Sequence, residues 1–409
     1  MTDGPTDDEL PASQPAPSTA ETLEPGPSAA SAPVEPLYAR AADAAASDPP
    51  PNDAPTVPDV AAALPSPYVG LPTAAGSVLR QSFDLLTRAG PELRRGSFYI
   101  GLIVLGLVAP VALLAWGFEV AFPADTPYTD IVATQDTVNR ATQWTLVASW
   151  LAIAGFVVAF VESRAVAMAI LAARLGGRRL ELRDAVQRSR RVFWRVAGGL
   201  LLINVPLGVF QYFVGNWFVD VFHGASEITA LTPSIVAAII GTPFAYVMAG
   251  IVLGDVGVIE SARRSVRLFS ARRRAALVVS LFALAAQLLT IVGLSAGLDI
   301  LVRIFEAIGI GPTSGDLGVA LTTAIIIAGI FASGTLLFTI AALSVAPQVV
   351  MFLALTHTTL GLDHIDEPPP TSEWDQPRRR KFRWLTRPML GAMGLGALST
   401  VAGLAALAR

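Results

Sequence analysis

The chain has no cysteine, a single lysine (Lys381) and three histidines (His223, His357 and His364) in 409 residues. Without cysteine, disulfides, thiolate metal sites and cysteine nucleophiles are excluded. Charge is scarce too, at 15% of residues against about 25% in a soluble domain. Hydrophobic residues make up 53%. Motifs that carry chemistry are also missing. There is no HExxH for a metalloprotease, no Walker A and no GxSxG. The expectation is a non-enzymatic protein without a cofactor, whose main solvent is lipid.

What is present is a set of long apolar runs separated by short basic loops. Residues 98–122, 144–173, 196–214, 234–253, 275–295, 319–355 and 388–408 are each long enough to cross a hydrocarbon core, which takes about 20 residues. The expected fold is all-α, a polytopic transmembrane bundle of six spans in three helix-pair units plus a C-terminal seventh. Four regions follow: an arm over 1–75, a six-span domain over 76–365, a basic linker over 366–387 and a final helix over 388–409.

The arm holds sixteen of the thirty prolines by residue 72, and its first sixty residues carry eleven acidic side chains against one basic one, Arg40. Such a segment buries too little apolar surface to offset its conformational entropy, so disorder is expected.

Loop charge sets the expected orientation. Three loops carry nine, six and six Arg or Lys residues, and the three loops that alternate with them, beginning with 123–143, carry one, none and one. Short basic loops stay on the cytoplasmic side. The N-terminus is therefore expected in the cytoplasm, in the inner membrane of a bacterium. The exposed basic candidates are Arg188, Arg190, Arg191, Arg263, Arg264, Arg267, Arg272, Arg273 and Arg274. Anionic lipid headgroups are their expected partners, at about 1 kcal/mol per basic residue. A protein partner is the alternative, and nucleic acid is not expected.

Five polar residues interrupt the spans: Glu162, Arg164, Asn204, Gln211 and Gln287. If the second span is 144–161, Glu162 and Arg164 mark its cytoplasmic end, and the helix continues along the interface. If it is 152–173, both lie near the midplane, where charges are costly and usually functional. The interfacial placement is expected. A kink near Pro347, followed by an interfacial continuation, is expected in the sixth span.

A weak repeat aligns VLRQSFDLL, AVQRSRRVF and SARRSVRLF on Ser82, Ser189 and Ser265, each ahead of an outward span. The spacing of apolar residues predicts amphipathic surface helices. Small residues at Ala237, Gly241, Ala245 and Ala249, and at Ala392, Gly396, Ser399 and Gly403, form close-packing stripes. The second stripe suits either docking on the six-span body or contact with a partner or second copy.

The loops GRRLELRDAVQRSRRVFWRV and GDVGVIESARRSVRLF, with the late proline of LSVAPQVVMFLAL, resemble the bacterial membrane-domain family named after glycerophosphoryl diester phosphodiesterases. The resemblance covers roughly 76–362. It implies a six-span membrane domain with no chemistry of its own, because the phosphodiesterase barrel that gives the family its name needs roughly 250 soluble residues. The sequence departs from the family's ending at Thr356, His357 and Thr358. His357, Asp363, His364 and Asp366 are expected in a solvated loop rather than around a metal.

The first functional expectation is a membrane scaffold or accessory protein with a basic cytoplasmic face. The alternative is a transporter or permease-like subunit. The two differ on one point: a pathway requires the intramembrane polar side chains to converge.

Overall fold

The structure, a computed structural model, describes residues 68, 70–122, 135–222, 227–308, 315–360 and 382–408. Most of the arm, most of the basic linker, and His223, His364, Asp363 and Asp366 lie outside them. Helix α1 is Ala75–Arg88, α2 Gly90–Ala121, α3 Gln135–Leu175 and α4 Leu182–Phe222. The next stretch is broken into α5 (Glu227–Gly241), a 3-10 turn (Thr242–Phe244) and α6 (Val247–Gly254). Then come α7 (Val258–Ala271), α8 (Arg273–Ile308), α9 (Gly315–Leu360) and α10 (Arg387–Leu407). The described residues contain no strand, so the chain is all-α.

Six of these helical stretches are long and apolar enough to cross a membrane: 90–121, 135–175, 182–217, 231–254, 317–360 and 387–407. The protein is a multi-pass membrane protein. Helix α8 stands outside that six; it is 36 residues long and holds the stretch read as the fifth span.

Helix α3 is the centre of the bundle and touches α2, α4, α6, α9 and α10. Its second half, AFVESRAVAMAILAA, is rich in alanine, which lets neighbours approach from all sides. Every residue from 165 to 173 is buried. A helix apolar all round is a buried helix. The segment after Glu162 is therefore enclosed by protein rather than lying open along a surface. The same holds for α9, which runs unbroken through Pro347 with residues 349–356 buried. Membrane helices tolerate such a proline when neighbours surround the freed backbone.

All of this packing lies toward the end that carries the basic loops. There Glu92 at the start of α2 pairs with Arg174 at the end of α3, at 3.1 Å. Helices α1 and α7 close over that end. The three aligned serines, Ser82, Ser189 and Ser265, are all buried. The units differ in one respect. Helices α1 and α7 are separated from the helices that follow by a break, whereas 182–195 is continuous with its span in α4.

The fourth span is broken for a local reason. Pro243 has no N–H to donate, and its ring clashes with the preceding turn. Ser265 of α7 bonds two main-chain groups at the break: its hydroxyl donates to Pro243 O at 2.7 Å and accepts from Tyr246 N at 3.1 Å. Ser261 donates to Val247 O at 2.6 Å, and Gly250 leaves room for it. Helix α6 ends at Asp255, which adopts a left-handed conformation with φ of 49°. Aspartate accepts that conformation more readily than most residues. Arg188 of α4 caps the last carbonyls, donating to Val252 O at 3.0 Å and Leu253 O at 3.2 Å. Arg195 pairs with the Asp255 carboxylate at 2.5 Å.

The other half of the bundle is loosely covered. Leu201, Leu202, Val205 and Val209 on α4 are more than half exposed, as are Leu289 and Val292 on α8. In a bilayer such surfaces meet lipid. Helix α10 packs on α2 and α3 through its small-residue stripe. Gly396 faces Pro110, and Gly403 faces Leu114 and Trp144. Thr400 donates to Pro110 O at 3.1 Å. Of the two uses of this stripe, docking on the body is the one seen.

Candidate functional site

Glu162 and Arg164 are two residues apart, and at about 3.6 residues per turn they point to nearly opposite sides of α3. They do not pair with each other. Each belongs to a separate polar site.

Glu162 is buried beside α2 and α4, and it accepts a hydrogen bond from the Tyr99 hydroxyl at 3.0 Å. Arg190 of α4 approaches the same carboxylate oxygen with its Nε at 3.4 Å and donates to the Tyr99 oxygen at 2.9 Å. The Arg190 guanidinium also donates to the main-chain carbonyls of Arg383 and Trp384, in the lead into α10. Its carbon lies 5.5 Å from the Phe382 ring centre, and Arg183 lies 5.2 Å from the same ring. This knot ties α2, α3 and α4 to the lead of the last helix. A buried carboxylate that keeps a cationic partner and a phenolic donor is satisfied. The knot therefore has a structural role. Tyr99 is buried within it.

Arg164 faces a cavity of about 490 Å³ between α4, α5, α6 and α8. Asn204 and Gln211 line it from α4, Gln287 from α8 and Gln348 from α9. Four of the five polar residues singled out in the spans thus share one cavity, and Glu162 is the one that does not. Ser234 and Ser280 add hydroxyls, and Gln211 donates to Ser234 Oγ at 2.8 Å. Gln348 directly follows Pro347 in the sixth span. Arg164 and Gln348 come from the fully packed stretches of α3 and α9 and form the floor. The rest of the lining is apolar or glycine.

The electrostatics of the cavity are one-sided. None of the described residues lining it is acidic. The Nε of Arg164 is buried without a hydrogen-bond partner among the described residues, and the guanidinium carbon lies 4.3 Å from the Phe160 ring centre. A cation held away from water without a carboxylate is costly and is expected to have a counter-ion. The arrangement offers a planar five-donor fork surrounded by amides, which is the chemistry that recognises a carboxylate or phosphate.

The basic candidates divide. Arg188 and Arg190 are committed to the protein contacts above, and Arg264 pairs with Glu260 one turn away at 3.0 Å. Arg191 is exposed. Arg263, Arg267, Arg272, Arg273 and Arg274 are exposed on or beside α7. Among the described residues no group of three or more His, Asp or Glu side chains converges as metal ligands, and His357 is half-buried in α9. No protein-family model, no curated protein and no solved structure matches this chain.

Proposed function

We propose that the protein is permease-like and takes an anionic group into the cavity at Arg164. The observation that carries this reading is the convergence of Arg164, Asn204, Gln211 and Gln287 in one cavity with no acidic lining among the described residues. A scaffold gives those side chains no reason to meet. The loop charges support an orientation with the N-terminus and the packed basic end in the cytoplasm of a bacterium. In that orientation the cavity is closed inward, open to water on the outer side and flanked by lipid along α4.

The reading is tested by ligand-dependent melting of the intact chain. A ligand at about 100 times its Kd adds about 2.7 kcal/mol to the stability of the state it binds. Phosphate or acetate is expected to raise the melting temperature of the wild type and to leave Arg164→Gln unchanged, while the paired variant Arg263→Ala, Arg267→Ala keeps the rise. No anion effect in the wild type, or an equal effect in Arg164→Gln, sinks the reading.

One observation supports a second role beside it. The exposed arginines of α7 lie next to exposed Ile259 and Val266. That is the composition of a helix lying on an anionic membrane surface, the contact expected of a basic cytoplasmic face.

A further inference from the structure

We infer that the natural occupant of the Arg164 cavity is an anionic amphiphile, a carboxylate or phosphate carried on an alkyl chain, taken sideways from the bilayer. This rests on the anionic reading of the cavity and names the class of molecule that fills it.

The observation is a second space beside the first. An apolar groove of about 460 Å³ runs along α4 toward α7, and Ile203, Leu207, Phe244 and Val247 line both spaces. The two therefore lie side by side across these four side chains, a polar chamber lined by Arg164 and a chamber whose described lining is apolar throughout. Together they exceed what a small inorganic anion would fill, and each is within the range of about 300–1,000 Å³ of ligand pockets. A free phosphate gains nothing from Leu202, Pro206 or Phe210. An alkyl chain gains about 0.8 kcal/mol for each methylene it buries.

The groove's position indicates the route. Leu202 lines the groove and is 60% exposed, and its neighbour Val205 is 55% exposed. Among the described residues no helix packs over this wall of α4, so in a bilayer it meets acyl chains. A lipid-derived chain reaches the groove without crossing water, and its head reaches Arg164 once the side chains of Ile203, Leu207, Phe244 and Val247 move aside. The head exchanges interfacial water for the guanidinium fork and the amides of Asn204, Gln287 and Gln348. The Arg164 cation thereby gains a counter-ion, which no described residue supplies.

The test uses the full chain in nanodiscs of net-neutral phosphatidylcholine. Radiolabelled hexadecanoate and hexadecyl phosphate are the probes, with inorganic phosphate as the headgroup without a chain and hexadecyltrimethylammonium as the chain with the opposite charge. Saturable binding of both alkyl anions is expected. Arg164→Gln is expected to weaken it about 10- to 100-fold, the loss of a charge-assisted contact. Arg164→Lys is expected to restore much of it. Ala262→Trp, which fills the groove from α7, is expected to weaken the alkyl anions about 10-fold, by excluding two or three methylenes, while leaving inorganic phosphate unaffected. If Arg164→Gln does not fold, Gln287→Leu carries the polar arm, because it keeps the cation and removes one amide. Inorganic phosphate binding through Arg164 as tightly as hexadecanoate, or insensitivity to Ala262→Trp, overturns the amphiphile and leaves the small-anion reading standing. Equal binding of the trimethylammonium probe shows partition into lipid and overturns the amphiphile as well. No Arg164-dependent binding of any anion overturns both.

Discussion

Arg190→Ala is expected to lower the unfolding free energy by about 3–5 kcal/mol, because it leaves the Glu162 carboxylate buried without its cation. The same change releases the Arg383 and Trp384 carbonyls that hold the lead into α10. Glu162→Gln is expected to cost only about 1 kcal/mol, since the amide oxygen still accepts from Tyr99 and Arg190 keeps its carbonyl partners. The double variant is therefore expected to be more stable than Arg190→Ala alone. Thermal melting of the intact chain in one detergent measures all three. A double variant whose loss equals the sum of the single losses shows that the two side chains do not act on each other, and the knot is then not what holds this end together.

Gly334→Ile is expected to prevent assembly of the α2–α9 seam. A Cβ at Gly334 would lie 2.8 Å from the Gly101 Cα and 2.9 Å from Val104 Cβ. A Cβ at Gly101 would lie 2.9 Å from both the Phe331 ring and the Thr335 methyl. The obstruction at Gly334 includes backbone, which does not move aside as a flexible side chain does. Even Gly334→Ala is expected to lose stability by about 1–3 kcal/mol through overpacking, although alanine is the better helix former by about 1 kcal/mol. The control lies on the same helix: Gly329 has nothing within 4 Å of an added Cβ, so Gly329→Ala is expected to hold or gain stability. Folded yield and melting of the two alanine variants separate close packing from helix propensity. Equal behaviour of the two removes the close-approach account of this seam.

The spans and the small-residue stripe of α10 were legible in the sequence because both are local patterns of composition and period. So were the residue types of the cavity, since an arginine or an amide stands out in an apolar run. Their meeting was not legible. It depends on which faces of α3, α4, α8 and α9 turn toward one another, and Glu162 and Arg164 look like a pair in sequence while facing opposite sides of one helix. The stretches after Glu162 and around Pro347 were read as interfacial because hydropathy does not distinguish lipid from protein as the apolar solvent. Alanine-rich segments such as 165–173 are suited to the second. The knot was hidden by separation: Tyr99 lies 63 residues from Glu162, and the Trp384 carbonyl is a main-chain group 285 residues from Tyr99. Three buried serines were the one place where a faint repeat pointed to packing, and only Ser265 uses its hydroxyl to mend a broken span.

The measurement that bears most directly on the cavity is thiol accessibility at Gln287. The chain has no cysteine of its own, so each single variant reports one position. Gln287→Cys, facing the cavity, is expected to react with a membrane-impermeant maleimide added outside intact cells. Leu289→Cys, on the same helix and 72% exposed on its outer surface, is expected to be protected by lipid. Equal protection at both positions would mean a dry, lipid-filled gap with no polar path to Arg164. Labelling of Gln287→Cys only from the side of the basic loops would mean that the packed end is the open one, and either result contradicts an anion site closed toward the cytoplasm.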